Sequence, residues 1–345
     1  MKKLVLTLTA FAALASCSKD SIVEQATYAP IAFDNTFVDN STRLPYDASY
    51  KTATLESFEV YGTITNSSGA SANIFAAELV SKNLTIAGTG DVWKYDAANT
   101  QYWIPGNTYN FTAIADGNVA DATEVTTGDY GMPTAIKLLD ASAQHDILYA
   151  KAAERNFKLN DVVAPVEFTF DHLLAKAKFT VKNTIDTDSG YSYKVSDITI
   201  TGTTANGVYD IASGTWSEAD ESATYDLEFG NAVATATAEG AEADFIGFNE
   251  SLQSNYERLI IPTLAEDDDH KTTVNVSFTR DYYYNEVAIR SEVNTLSVDA
   301  QLVAGRAYNF VLKLGNPGEP IEFTVSEIND WEYDHDGYNP GVDVK

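Results

Sequence analysis

Cysteine is nearly absent: the 345-residue chain has one, Cys17. No intramolecular disulfide can staple the fold, and no cysteine-based zinc site can be built, so the apolar core alone must hold the structure. Long apolar runs are also missing. Beyond the first residues no stretch approaches the roughly eighteen apolar residues that a membrane-spanning helix needs. Positive charge is scarce, with 22 Lys plus Arg against 50 Asp plus Glu and a formal net charge of −28. Such a polyanion is repelled by nucleic acid and by anionic lipid, which excludes a nucleic-acid partner and points to outward display rather than a position flat on a bilayer.

Catalytic signals are missing too. The chain has no Gly-x-Ser-x-Gly elbow, and Gly88-Thr89-Gly90 lacks the further glycine and the helix of a phosphate loop. The four histidines, His145, His172, His270 and His335, never take the two-His spacing of a helical zinc site. His172 reads as a hydrogen-bonded structural residue. The acidic run Glu266 to Asp269, just before His270, lacks the spaced carboxylates of a calcium loop; it reads as a solvated turn, with cation binding left open. We therefore assign no catalytic residue, no metal ligand and no cofactor, and the chain is not expected to be an enzyme. Tyr282-Tyr283-Tyr284 could serve as a sugar-binding or protein-binding platform, or simply alternate between faces of a strand.

Cysteine's one position is informative. Met1-Lys2-Lys3 supplies a charged start, Leu4 to Ala15 an apolar run too short to span a bilayer, and Leu14-Ala15-Ser16-Cys17 resembles the lipobox of bacterial lipoproteins. Residues 1–16 are then a signal peptide, and residues 17–28 a tether lipidated at Cys17. Each buried lipid methylene contributes about 0.8 kcal/mol, so several acyl chains anchor a soluble domain firmly to the outer membrane.

The remainder has strand composition: 20 Tyr and 16 Phe, with many Val and Thr punctuated by Gly, Asn and Asp. Val166, Phe168 and Phe170 alternate with polar residues, as do Ala175, Ala177, Phe179 and Val181, which predicts two half-buried strands joined near Asp171 to Leu174. Similar alternation marks Leu55 to Val60, Tyr109 to Ala113, Val274 to Phe278, Tyr308 to Leu314 and Ile321 to Val325. Only Ile74 to Lys82 suggests two helical turns. Thr65 to Ala72, Asp116 to Asp129 and Ala234 to Ala243 read as polar loops. Length suggests two domains, each able to bury a core. Two echoes agree: Gly106-Asn107-Thr108-Tyr109-Asn110-Phe111 with Gly305-Arg306-Ala307-Tyr308-Asn309-Phe310, and Trp93-Lys94-Tyr95-Asp96 with Trp331-Glu332-Tyr333-Asp334. The boundary is placed near residue 162, giving an N-terminal domain over 29–162 and a C-terminal domain over 163–345.

The ordered set Leu55-x-x-Phe58-x-Val60-x-Gly62, Trp93-x-Tyr95, Tyr102-Trp103-x-Pro105-Gly106, Asp146 to Ala150, Phe170-x-His172-Leu173-Leu174-Ala175-Lys176 and Leu302-x-x-Gly305-x-x-Tyr308-x-Phe310, closing on Trp331, resembles the fimbrillin family, in particular its Mfa-like branch of Bacteroidetes lipoproteins. Ser18-Lys19-Asp20 resembles the short tag that sends such lipoproteins to the outer face of the outer membrane. The resemblance implies an all-β fold of two β-sandwich domains, Greek-key and transthyretin-like, with few or no long helices. It also implies a subunit of a surface fimbria, serving adhesion or biofilm formation, whose partners are other fimbrial subunits, the outer membrane through its lipid, and a host or bacterial surface receptor. Such subunits are cut after a basic residue near the first strand, and another subunit's strand fills the vacated groove. Arg43 is the one basic residue between Asp20 and Tyr50, so the candidate cut lies between Arg43 and Leu44; Pro30 to Phe33 with Phe37-Val38 would be the strand that leaves. Ile321, Phe323, Val325 and Ile328 mark a candidate donor strand. The bland readings are a surface charge at Arg43 and an ordinary strand at the C-terminus. The alternative function is a monomeric surface lipoprotein that binds a glycan or a host protein.

Overall fold

The computed structural model describes residues 28–33, 37–38, 55, 57–83, 92–115, 123–185, 187–218, 223–234, 243–245, 257–262, 271–315 and 318–328. Its regular elements are strands, joined by turns and short 3-10 segments. The fold is all-β.

The first sheet has eight strands. From one edge they run Phe37–Val38, Thr169–His172, Leu148–Lys151, Asn107–Ala115, Ser57–Thr65, Ser71–Asn83 and Val92–Lys94, with Arg155–Phe157 also paired to Asn107–Ala115. Three strands follow one another in space from Ser57 to Lys94, and Asn107–Ala115 returns to lie beside the first of them, which is a Greek-key connection. The alternation at Phe58, Val60, Tyr109, Phe111 and Ala113 puts these side chains on one face, where all five are buried in an aromatic core.

Ile74 to Lys82 is a strand, not two helical turns: it belongs to Ser71–Asn83, which pairs antiparallel with Ser57–Thr65. The pairing shifts register between Val60 and Thr63, and Ala77 takes a φ of +55°. This bulge puts buried Phe75 and Val80 out of step with a period of two, and the sequence pattern reads as helical. A two-turn helix has little stability of its own, whereas the hairpin turn gains from Asn66, whose Oδ1 accepts from the backbone N–H of Ser68 and of Ala70.

In the second half an antiparallel sheet, Thr224–Ala234, Tyr191–Thr204, Thr272–Tyr284 and Val287–Ala300, faces a second sheet. Ala175–Asn183 is central in that sheet. It pairs with Ala243–Phe245 and Glu257–Ile260 on one side and parallel with Ala307–Leu314 on the other; Glu322–Ile328 forms the edge. Phe179, Val195, Ile200, Val276, Phe278 and Phe310 fill the space between the sheets.

A smaller sheet ties the halves together. Thr123–Thr127 and Pro133–Leu138 come from before residue 162, Gly207–Asp210 and Thr215–Glu218 from after it. Thr123–Thr127, expected within a loop, is therefore a strand; it is an outer strand whose Thr and Glu side chains face water, so it lacks apolar alternation. Ile114, Ile136 and Leu138 pack with Leu173, Leu174 and Trp216 in a core of their own, and the Trp216 indole N–H donates to the Leu173 carbonyl at 2.7 Å. The chain passes from the first sheet to the second through Leu173-Leu174, so Val166, Phe168 and Phe170, beyond the boundary expected at residue 162, fill the first core. The two strands predicted on either side of that dipeptide are present. The second is more than half-buried: on its polar face Lys176 and Thr180 are also enclosed, Lys178 and Lys182 are partly so, and the Thr180 hydroxyl donates to Asn309 Oδ1 on the neighbouring strand at 2.9 Å.

Candidate functional site

Residues 28–33 are wedged between two parts of the first half. The Ile31 N–H donates to the Gln101 carbonyl at 2.8 Å, and the Trp103 N–H to the Ala29 carbonyl at 3.0 Å. On the other side the Val166 N–H donates to the Ala32 carbonyl at 2.7 Å, and Phe37–Val38 continues in parallel beside Thr169–Phe170. The Tyr95 hydroxyl donates to the Ile31 carbonyl at 2.8 Å. With Ile31 and Phe33 on one face and Ala32 on the other, a three-residue extended stretch inserts two large side chains, both almost wholly buried.

Phe33 sits at the centre of the first core. Its ring packs edge-on against Phe75 at 5.7 Å, Tyr95 at 5.7 Å, Phe111 at 6.1 Å and Phe58 at 6.3 Å, and stacks on Phe168 at 5.9 Å. Edge-to-face and offset pairs at these separations add about 0.5–1.5 kcal/mol each beyond their buried area. Held among the described residues by few backbone hydrogen bonds, this segment closes an aromatic groove with one ring.

The C-terminal candidate lies at the edge of the second sandwich. Glu322–Ile328 pairs antiparallel with Ala307–Lys313, and among the described residues nothing pairs along its outer edge. Ile321, Phe323 and Val325 are half-buried against the second core, where Phe323 stacks on Phe179 and Phe310, both at 6.2 Å. Ile328 takes the register position opposite Ala307.

The first sequence echo is also a structural one. Gly106 and Gly305 adopt φ of +87° and +70°, a left-handed turn that favours glycine, and each starts a strand whose Tyr and Phe face the core. The Tyr109 hydroxyl accepts the Ile104 N–H at 2.6 Å; the Tyr308 hydroxyl accepts the Val303 N–H at 2.8 Å. Each tyrosine reaches back to the residue five positions upstream and fastens the incoming loop. Burial raises the pKa of both hydroxyls, partly offset by the donated N–H. The partner of the second echo, Trp331 to Asp334, lies outside the described residues.

Other expected features find definite places. His172 is buried, and its Nδ1 meets Asp146 Oδ2 in a short contact that ties Thr169–His172 to the chain before Leu148. Tyr282 is buried and donates to Glu292 Oε1, which Arg280 also clamps at 2.7 Å, so it is part of the wall of the sandwich. Tyr284 is exposed, and its ring lies 5.0 Å from Tyr191. Cys17, Arg43, Leu44 and the acidic run Glu266 to Asp269 lie outside the described residues. Among the described residues no group of three or more His, Cys, Asp or Glu is placed to hold a metal ion, and no helix is long and apolar enough to cross a membrane.

Comparison with known proteins decides the lineage. A family model described as fimbrillin-like matches residues 42–331. The chain belongs to the fimbrillin-like family. This is a family of fimbrial structural and adhesion proteins rather than of enzymes. The match begins just ahead of Arg43 and leaves the Phe33 segment outside it. Among solved structures, a fimbrial protein from Bacteroides vulgatus is 15% identical with a TM-score of 0.58, covering 86% of this chain and 99% of its own. A fimbrial assembly protein from Parabacteroides distasonis gives a TM-score of 0.40 at 14% identity, covering 86% and 96%. The fimbrial anchor protein Mfa2 from Porphyromonas gingivalis gives 0.34 at 11%, covering 87% and 96%. The first of these shares the fold of this fimbrillin-like chain. No curated protein matches it significantly in sequence.

Proposed function

We propose that this chain is a structural subunit of a cell-surface fimbria, exported to the outer membrane as a lipoprotein through Cys17 and joined to other subunits by strand exchange in the service of adhesion or biofilm formation. The observation that carries this reading is Phe33. The segment bearing it seals the aromatic groove of the first half, yet among the described residues only a handful of backbone hydrogen bonds hold it, and Arg43 follows it as the one basic residue of its region. A cut between Arg43 and Leu44 frees residues 28–38 to leave, exposing Phe58, Phe75, Tyr95, Phe111 and Phe168. A strand from another copy then restores both the backbone hydrogen bonds and the apolar filling. Ile321, Phe323, Val325 and Ile328 mark the C-terminal strand as the donor side: it is extended, alternates apolar with polar, and keeps an unpaired edge among the described residues. In this reading the two cores, one before Leu173 and one after Leu174, are two sandwich domains in series.

Purified Ser18–Lys345 treated with an Arg-specific protease and run unheated in SDS tests it. The expected result is a ladder of multimers whose chains begin at Leu44. A stable monomer, cut or uncut, contradicts Arg43 as a trigger. The second reading, a monomeric lipoprotein that binds a glycan or host protein, draws on exposed Tyr284, backed by half-buried Tyr191, and gains if that monomer binds ligand and loses it on Tyr284→Ala.

A further inference from the structure

Three loops meet around Trp103. Residues 28–30 bond to Tyr102 and Trp103. The guanidinium of Arg155 lies 4.4 Å above the Trp103 ring and donates to the Val162 carbonyl at 2.9 Å and the Ala164 carbonyl at 2.7 Å. The Asp161 carboxylate accepts the Lys158 N–H at 2.7 Å. The loop over 158–164 is therefore tied down, yet it presents Leu159 at 75% exposure and Val162 at 84%, with Val163, Tyr102, Ile104 and Tyr28 also exposed beside it. Apolar side chains held out by a fixed loop have no role in their own core.

Charge sets this end apart. In a chain of net −28, residues 28–33 and 101–106 carry no charged side chain, and residues 151–164 carry Lys151, Arg155 and Lys158 against Glu154 and Asp161. The repulsion from phospholipid that the whole molecule experiences is absent here, since exposed charges beyond about 8–10 Å are screened. Position matters as much. The described fold starts at Tyr28, on this same end, and only the ten residues Ser18–Thr27 separate it from Cys17. Fully extended they reach at most about 40 Å.

We propose that in the unprocessed chain this end, with Leu159 and Val162 at its tip and Tyr28 and Tyr102 flanking, rests on the lipid surface that holds the Cys17 anchor. Tyrosine suits a headgroup boundary, and the aliphatic tips suit the acyl layer just below it. The protein stands end-on, so its acidic bulk points away from the membrane, and cutting after Arg43 removes the Cys17 tether and Tyr28, leaving Leu159 and Val162, with Tyr102 beside them, as the only remaining hold. This rests on the reading of Cys17 as lipidated.

The test uses the full-length, lipidated protein. With Cys17 blocked by its lipid, Val162→Cys, Leu159→Cys or Val293→Cys supplies the one reactive thiol for an environment-sensitive fluorophore; Val293 is an exposed position on the second half. The intact mass is read first, then emission in vesicles of phosphatidylethanolamine and phosphatidylglycerol containing acyl-brominated lipid. The expected result is a blue shift and roughly twofold quenching at 159 and 162, the depth being about 5–10 Å, and neither effect at 293. Unquenched probes on a chain of lipidated mass overturn the inference alone. A shift that needs no vesicles and grows with protein concentration also overturns it, assigning the patch to contact between copies. A mass without lipid on Cys17 refutes the anchoring reading and removes this inference with it.

Discussion

Each half of the molecule closes its core with a strand near one end of the chain, and the two strands do so unequally. Phe33 enters at the centre of its core, ringed by Phe58, Phe75, Tyr95, Phe111 and Phe168, although among the described residues the segment 28–33 has few backbone hydrogen bonds. Phe323 lies half-buried on the margin of its core, against Phe179 and Phe310, on a strand with a full antiparallel ladder. One segment is rich in side-chain burial and poor in backbone pairing; the other is the reverse. In the proposed strand exchange, a segment of the first kind is the one that departs once a cut frees it and a better-paired strand competes, while one of the second kind stays in register and offers its outer edge.

The largest expected effect separates these two rings. Phe33→Ala should destabilise the uncut protein by about 3–5 kcal/mol, because the cavity lies among fixed rings. Phe323→Ala should cost about 1–2 kcal/mol, in proportion to its partial burial. Urea unfolding measures both, and equal losses would break the comparison. A smaller effect tests what the halves share. Tyr109→Phe leaves the Ile104 N–H without its acceptor, and Tyr308→Phe does the same to Val303, so each should cost about 1–3 kcal/mol. Similar values would establish the repeated element as one structural device, and a loss confined to one half would show that the likeness is superficial.

The same hydroxyls report through pH. Burial raises the pKa of Tyr95, Tyr109, Tyr193 and Tyr308 above the value of about 10 that an unfolded tyrosine has. The folded state therefore holds protons that the unfolded state releases, so their stabilisation is complete below about pH 10 and is lost as pH rises toward the folded values. Exposed tyrosines such as Tyr28, Tyr102 and Tyr284 should ionise first, and the remaining phenolate absorbance should appear together with loss of the near-ultraviolet circular dichroism; ionisation of all the tyrosines in one step with the dichroism intact would contradict the burial. The smallest change is Glu286→Gly. Asn285 and Glu286 take φ of +45° and +65° in the two-residue turn between Tyr284 and Val287, where glycine suits the second place. A gain of about 1 kcal/mol is expected from thermal unfolding, since a left-handed L residue costs about that much.

The strands were legible in the sequence where alternation ran unbroken, as at Val274 to Phe278 and Tyr308 to Leu314. It failed at Ile74 to Lys82 because a bulge at Ala77 shifts the phase, and at Thr123–Thr127 because an exposed strand needs no apolar residues. Alternation shows which residues share a face but not which sheet receives them, so Val166 to Phe170 could not be assigned to the first core from their pattern. At the candidate site, Ile31 and Phe33 were visible as a short extended segment. That Phe33 occupies the centre of the aromatic cluster depends on pairings with Gln101, Trp103 and Val166, residues far apart in sequence. Arg155 carried no sequence signal, since its stacking on Trp103 is likewise a tertiary contact.

Hydrogen exchange of the backbone around Gln101 to Trp103 and Val166 to Phe170, followed by mass spectrometry, tests the central claim most directly. It is measured on intact protein, on protein just after the cut at Arg43, and on the multimers that form. The account expects protection in the first state, loss of it when residues 28–38 depart, and its return in the multimers as a strand from another copy takes the place of the Phe33 segment. Protection unchanged throughout would mean that this segment never leaves, and would contradict strand exchange at this groove.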